Sequence, residues 1–171
     1  MSKVDTERID PNINYAKVTD SSPYKDYWAI NIDGVSIDNQ VHPESRSIVA
    51  LVDTGTTMLL APEAITRDLF RRIPDAYHDY TGLYSVPCNS ANRIPNFTVI
   101  VNGEKYVLDG SKYVIPAFQL KNSRPGYCYT YIQTGSANLP MILGYGFLQT
   151  VGTVYNAETR QVGFGRHITK K

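Results

Sequence analysis

The residues of this chain best placed to do acid–base chemistry are Asp53-Thr54-Gly55-Thr56-Thr57, which follow the apolar run Ser47-Ile48-Val49-Ala50-Leu51-Val52. A carboxylate at the end of a buried strand stands at the edge of a low-dielectric interior. Ionising it there is costly unless hydrogen-bond donors compensate. Gly55 permits a tight turn that brings backbone N–H groups near the carboxylate, and Thr54 and Thr56 place hydroxyls on either side of that glycine. The chemistry on offer is proton transfer. The structural alternative is that Asp53 closes an Asx-turn at a strand end.

Other constellations are poor. His42, His78 and His167 are scattered, with no H-x-x-x-H or H-E-x-x-H, so no metal site is expected. No G-x-S-x-G elbow and no G-x-x-x-x-G-K loop occurs, and Gly144-Tyr145-Gly146 lacks the third glycine and the βαβ context of a dinucleotide loop. No cofactor is expected. The 17 basic and 16 acidic residues leave a net charge of +1. That balance gives no case for nucleic acid or an anionic membrane as partner. The basic end, Arg166 to Lys171, reads as a solvated terminus. No apolar run approaches the ~20 residues that span a bilayer, and Met1 to Arg8 has no apolar signal-peptide core.

Cys88 and Cys128 are too far apart for a C-x-x-C site; they are either two buried thiols or a disulfide closing a long loop. Asn96-Phe97-Thr98 is the single N-glycosylation sequon. Together these features lean toward an oxidising, secretory setting.

The elements that must position Asp53 read as mainly β. With 171 residues, 42% of them apolar, the chain can bury one compact core. Residues 1–23 are polar and turn-rich, like a lead-in segment. Tyr27 to Val35 alternates as a strand, Ile48 to Val52 reads as a buried strand, and Pro62 opens a helix with Ile65, Leu69 and Ile73 on one face before Pro74 ends it. Phe97 to Val101, the turn Asn102-Gly103 and Tyr106 to Leu108 predict a hairpin. Tyr127 to Ile132 and Met141 to Leu143 are further strands, and Gly152 to Phe164 closes the chain as a second hairpin. The sum is an irregular β-sandwich or barrel with one clear helix.

In this context the sequence resembles the pepsin family of aspartic proteases, specifically the C-terminal lobe of its two-lobed members. The hydrophobic–D-T-G-T-T run matches the motif around the second catalytic aspartate, and Met141-Ile142-Leu143-Gly144-Tyr145-Gly146-Phe147 is similar to the I-L-G-x-x-F segment that packs against it in a ψ-shaped loop. Tyr27-Trp28, the closing Thr153-Val154-Tyr155-Asn156 and Arg160 to Phe164 match as well, so the resemblance covers residues 24–167, with 168–171 left as a tail. Many members carry Asp where this chain has Tyr145.

The resemblance implies one lobe of the pepsin-like acid protease fold, with a ψ-loop and one or two short helices. It implies Asp53 as one of two catalytic aspartates, supported by Thr54, Gly55 and Thr56, with Gly55 and Thr57 along the substrate backbone. Tyr27 and Ile142 become candidates for the cleft wall, Cys88–Cys128 a disulfide, and Asn96 a glycan site in a secreted or vacuolar/lysosomal protein. Implied partners are an N-terminal lobe, a peptide or protein substrate, and pepstatin-like inhibitors of the complete enzyme.

No second D-T-G occurs in these 171 residues, nor does the flap tyrosine segment of the other lobe. Two carboxyls sharing a proton are driven apart in pKa, so one activates water while the other polarises the scissile carbonyl. This chain alone is therefore expected to be inactive as a monomer. Two alternatives are a silent peptide-binding lobe and a one-lobed homodimer that pairs two copies of Asp53 across a twofold axis.

Overall fold

The structure, a computed structural model, describes residues 4–21, 23–122 and 124–168. Apart from Ile168, the tail expected over 168–171 lies outside the described residues. In chain order the strands are β1 (Asn14–Lys17), β2 (Ala29–Ile32), β3 (Gly34–Ile37), β4 (Gln40–Val41), β5 (Ile48–Val52), β6 (Leu59–Ala61), β7 (Tyr77–His78) and β8 (Tyr84–Pro87). They continue with β9 (Phe97–Val101), β10 (Glu104–Leu108), β11 (Tyr127–Tyr129), β12 (Ile132–Thr134), β13 (Met141–Leu143), β14 (Val151–Asn156) and β15 (Gln161–Arg166). Helix α1 spans Glu63–Arg71, and two single-turn helices follow, α2 (Gly110–Tyr113) and α3 (Tyr145–Leu148). The chain is mainly β, consistent with a pepsin-like lobe.

The sheet that matters most has the order β12-β6-β13-β5-β2. Strand β13 lies parallel to β5, with Leu143 opposite Val52, and antiparallel to β6, with Leu143 opposite Leu59. It is thus inserted between two strands that the segment 53–58 joins, which is a ψ topology. Apolar β13 suits a central place, since strands covered on both sides read as continuous hydrophobic runs. Ala50, Leu59, Met141 and Leu143 are buried there.

The hairpin β9–β10 forms as its sequence predicts. Phe97, Val99 and Val101 are buried on one face, each stabilising by roughly 1.5–3 kcal/mol. Asn102 (φ 49°) and Gly103 (φ 76°) make the tight turn between them, which requires left-handed residues at both positions. Helix α1 buries Ile65, Leu69 and Phe70. It stops two residues before the buried Ile73, earlier than apolar spacing alone would place its end.

Three elements depart from the sequence reading. The run Tyr127 to Ile132 is two strands, because the chain leaves β8 for β6 at Thr130, whose hydroxyl donates to the Ile132 carbonyl at 2.8 Å. The run Tyr27 to Val35 divides at Asp33, whose carboxylate accepts the Gly103 N–H at 2.6 Å. Within the polar lead-in, β1 pairs antiparallel with β15, Asn14 opposite Phe164. Ile9 and Ile13 then press onto Gly165 and Gly163, where a Cβ would stand 2.1 and 2.5 Å from their side chains.

The β7–β8 turn is organised by Asp79, 8% exposed. Burial alone would raise the pKa of its carboxyl. The Thr81 hydroxyl, the Leu83 and Thr81 N–H groups and the Tyr129 hydroxyl all donate to it and bring the net shift below the ordinary value of 3.8. A depressed carboxyl stabilises the fold above its unfolded pKa, and the benefit is lost as pH falls through the folded value. Asp79→Asn is therefore expected to lower the melting temperature by a few degrees near neutrality. Below about pH 3.8 the gap to the parent should close; a gap that stays constant under acid would contradict this role, and melting curves across that range decide it.

Candidate active site

The loop after β5 is built by donors aimed at one carboxylate. Asp53 Oδ1 accepts the Gly55 N–H at 2.8 Å, and Oδ2 accepts the Thr56 hydroxyl at 2.5 Å. The Asp53 N–H itself donates to the Leu143 carbonyl at 3.1 Å, which extends the β5–β13 pairing by one residue. Both carboxylate oxygens are thereby fixed in direction. Asp53 and Thr56 are half-buried while Thr54, Gly55 and Thr57 are exposed, so the group opens onto the surface.

The far side of the loop is clamped by α3. The Tyr145 N–H donates to the Thr56 carbonyl at 2.8 Å and the Gly146 N–H to the Thr57 carbonyl at 2.9 Å. Gly144 allows that approach: a Cβ there would stand 2.2 Å from the Met58 carbonyl oxygen and 2.4 Å from that of Thr56. Both obstacles are backbone, so any side chain would have to push the loop away. Tyr145 itself is 49% exposed and meets Tyr131 edge-on at 5.7 Å.

Ile142 sits in β13 between Leu51 and Leu60, half-buried directly beneath the loop. Tyr27 is 60% exposed just ahead of β2, and neighbouring Trp28 accepts the Val52 N–H on its carbonyl at 2.8 Å. The geometry gathers Asp53, Gly55 and Thr56 into one hydrogen-bonded group. It leaves the Thr54 and Thr57 side chains without hydrogen bonds among the described residues.

One neighbour has no signal in the local sequence. Tyr155, on β14, has its phenol pKa raised by burial and by the negative charge of Asp53, with the Thr153 side chain opposing the rise. Cys88 and Cys128 are joined as a disulfide, with Cα atoms 5.0 Å apart, alongside the β8–β11 pairing. No group of three or more metal-ligating side chains occurs among the described residues, and no helix among them is long and apolar enough to cross a membrane.

The eukaryotic aspartyl protease family profile matches residues 1–167. The chain belongs to that family. As an aspartyl protease family member it is 32% identical to gastricsin of Homo sapiens over 167 residues, which cover 94% of this chain and 40% of the relative. It is 31% identical to pepsin A of Rhinolophus ferrumequinum over 160 residues, covering 94% and 39%. With cathepsin D of Clupea harengus the identity is 31% over 161 residues, covering 91% and 38%. The chain thus spans about two fifths of the length of these curated relatives.

Proposed function

We propose that this chain is the C-terminal half of an aspartic endopeptidase, in which Asp53 is one of two catalytic aspartates and an N-terminal lobe supplies the other. The observation that carries the reading is a single carboxylate, oriented by Gly55 and Thr56, at the open end of a ψ topology. In the two-carboxyl reaction the ionised group takes a proton from water as the water oxygen bonds to the scissile carbonyl carbon. The other carboxyl gives its proton to the carbonyl oxygen. Collapse of the resulting tetrahedral diol returns a proton to the leaving amine, and no covalent enzyme intermediate forms. Gly55 and Thr57 would line the substrate backbone, with Tyr27 and Ile142 on the cleft wall.

Mixing this chain with the matching N-terminal lobe should produce acid-range, pepstatin-sensitive peptide cleavage that neither part shows alone. Cleavage by this chain by itself, rising with the square of its concentration, would instead establish a homodimer. Absence of cleavage in the mixture, with the two lobes shown to associate, would favour the silent binding lobe.

The same reading places the protein in a secretory or lysosomal route, in keeping with its disulfide. The Asn96 side chain is exposed at the start of β9, with only its backbone engaged, by Asp38. Expression through a eukaryotic secretory host should attach a glycan at Asn96. Peptide N-glycosidase should then increase gel mobility of the parent but not of Asn96→Gln; an unmodified parent chain overturns the assignment.

A further inference from the structure

The end of the molecule that carries the Asp53 loop also presents an aromatic pair. Tyr131 stands immediately before β12, and its carbonyl accepts the N–H of Leu59, the first residue of β6 after the loop, at 2.8 Å. It is 9% exposed, and its hydroxyl donates to Gln119 Oε1 at 3.4 Å. Gly146 lets α3 press against it, because a Cβ there would stand 2.6 Å from the Tyr131 Cβ. Tyr145 rests edge-on upon this fixed ring, with centroids 5.7 Å apart, and keeps half of its own surface exposed.

The fold makes little use of the Tyr145 ring. Helix α3 buries Gly146 and Phe147 and leaves Tyr145 outside. The clamp on Thr56 is made by the Tyr145 backbone N–H, and the Tyr145 hydroxyl makes no hydrogen bond among the described residues. No residue from Thr54 to Pro62 or from Ile142 to Val151 carries a charge. This surface therefore offers a charged side chain no counter-ion and an aromatic one a rigid wall. Rings suit such a task because they give a large contact area at low conformational cost. The path to the carboxylate is short: the Tyr145 N–H meets the Thr56 carbonyl at 2.8 Å, and the Thr56 hydroxyl meets Asp53 Oδ2 at 2.5 Å. An extended peptide advances roughly 3.3–3.6 Å per residue, so the ring is within reach of a side chain a few residues from the bond that Asp53 addresses.

We propose that Tyr145, backed by Tyr131, is a specificity-determining residue, an aromatic platform that takes the ring of a phenylalanine, tyrosine or tryptophan in the peptide substrate. The inference rests on the reading of Asp53 as catalytic, and it assigns this subsite wholly to the present chain. Many family members carry Asp where this chain has Tyr145, so the platform is not common to the family.

Because the platform is complete in this chain, its first test needs no cleavage. Acetyl-Ala-Phe-Ala amide is titrated into the chain and the tyrosine ring signals are followed by NMR, with acetyl-Ala-Ala-Ala amide as the blank. The Phe peptide should give saturable shifts at the Tyr145 and Tyr131 rings. It should give none at Tyr80 in the β7–β8 turn, which is 94% exposed and controls for indiscriminate stacking. Tyr145→Ala keeps the N–H that bonds Thr56 and should weaken binding by about fivefold, the scale of one aromatic pair, whereas Tyr145→Phe should retain it. In the enzyme restored by the N-terminal lobe, Tyr145→Ala should raise KM more for a peptide with Phe at the matching position than for its Ala counterpart. Absence of saturable shifts, equal shifts from the two peptides, Tyr80 shifts as large as those of Tyr145, or unchanged affinity in Tyr145→Ala overturns the proposal. So does a Tyr145→Ala chain that loses its association with the N-terminal lobe but keeps the peptide, since the ring would then be a lobe contact. Failure of the two-lobed reading shows as absent cleavage in the mixing assay, while the peptide titration decides the platform by itself.

Discussion

Asp53→Asn is expected to abolish the cleavage restored by the N-terminal lobe, lowering kcat/KM by at least about a thousandfold, within the range that acid–base groups contribute. The substitution removes the ionisable group and keeps the shape. An asparagine can present its oxygen to the Gly55 N–H, now 2.8 Å from Asp53 Oδ1. Its amide nitrogen would then face the Thr56 hydroxyl, which can rotate from donor to acceptor. Stability and lobe association should therefore change little while activity disappears. The comparison requires both measurements on the same protein: cleavage of a peptide substrate, and association by sedimentation or calorimetry. An Asn variant that cleaves as fast as the parent removes Asp53 from the reaction and with it the proposed function.

The largest effect on stability should come from opening the Cys88–Cys128 disulfide. The bridge spans a sequence separation of 40 residues, for which the chain-entropy account gives about 4 kcal/mol. That is a large share of the roughly 5–15 kcal/mol that holds a typical domain folded. The loop it closes contains β9, β10 and α2, with Phe97, Val99, Leu108 and Tyr113 fully buried. The double substitution Cys88→Ser with Cys128→Ser should shift the urea midpoint down by a corresponding amount. A loss below about 1 kcal/mol would mean that β8–β11 pairing already restrains the unfolded loop, against the entropic account.

How far such a fold can be read without coordinates depends on where each signal is written. The Asp53 loop is legible because its signal is contiguous: an apolar run, then Asp-Thr-Gly. The β9–β10 hairpin was legible for the same reason, since Asn102-Gly103 fixes the turn that fixes the register. Strand β1 is not, because its ladder partner among the described residues is β15, far along the chain, and its four residues bury little besides Ala16. The break at Thr130 was hidden too. It comes from a change of partner strand, and the side chain that supports it, Gln133, bonds both backbone groups of distant Tyr84, at 2.7 and 2.9 Å. Within the site, the Thr56 and Gly55 contacts follow from spacing, whereas the contact of Tyr155 with Trp28 comes from the packing of β14 and has no local signal.

The β9–β10 turn also bears on how the molecule ages. Asn-Gly is a chemically fragile dipeptide, because the glycine nitrogen can attack the asparagine side-chain carbonyl, expel ammonia and leave a succinimide that hydrolyses to isoaspartate. Here the Gly103 N–H is held by Asp33, and the Asn102 amide nitrogen donates to Asn14 Oδ1 and the Tyr15 carbonyl, each at 3.0 Å. The nucleophile is tied to Asp33 between β2 and β3, and the leaving group to β1. The folded chain should thus accumulate isoaspartate at this position far more slowly than the unfolded one, and equal rates from the two states would show that these bonds give no protection. The turn is then a clock that runs when the contacts from Asp33 and β1 are lost, so its chemical damage records past local unfolding around the hairpin.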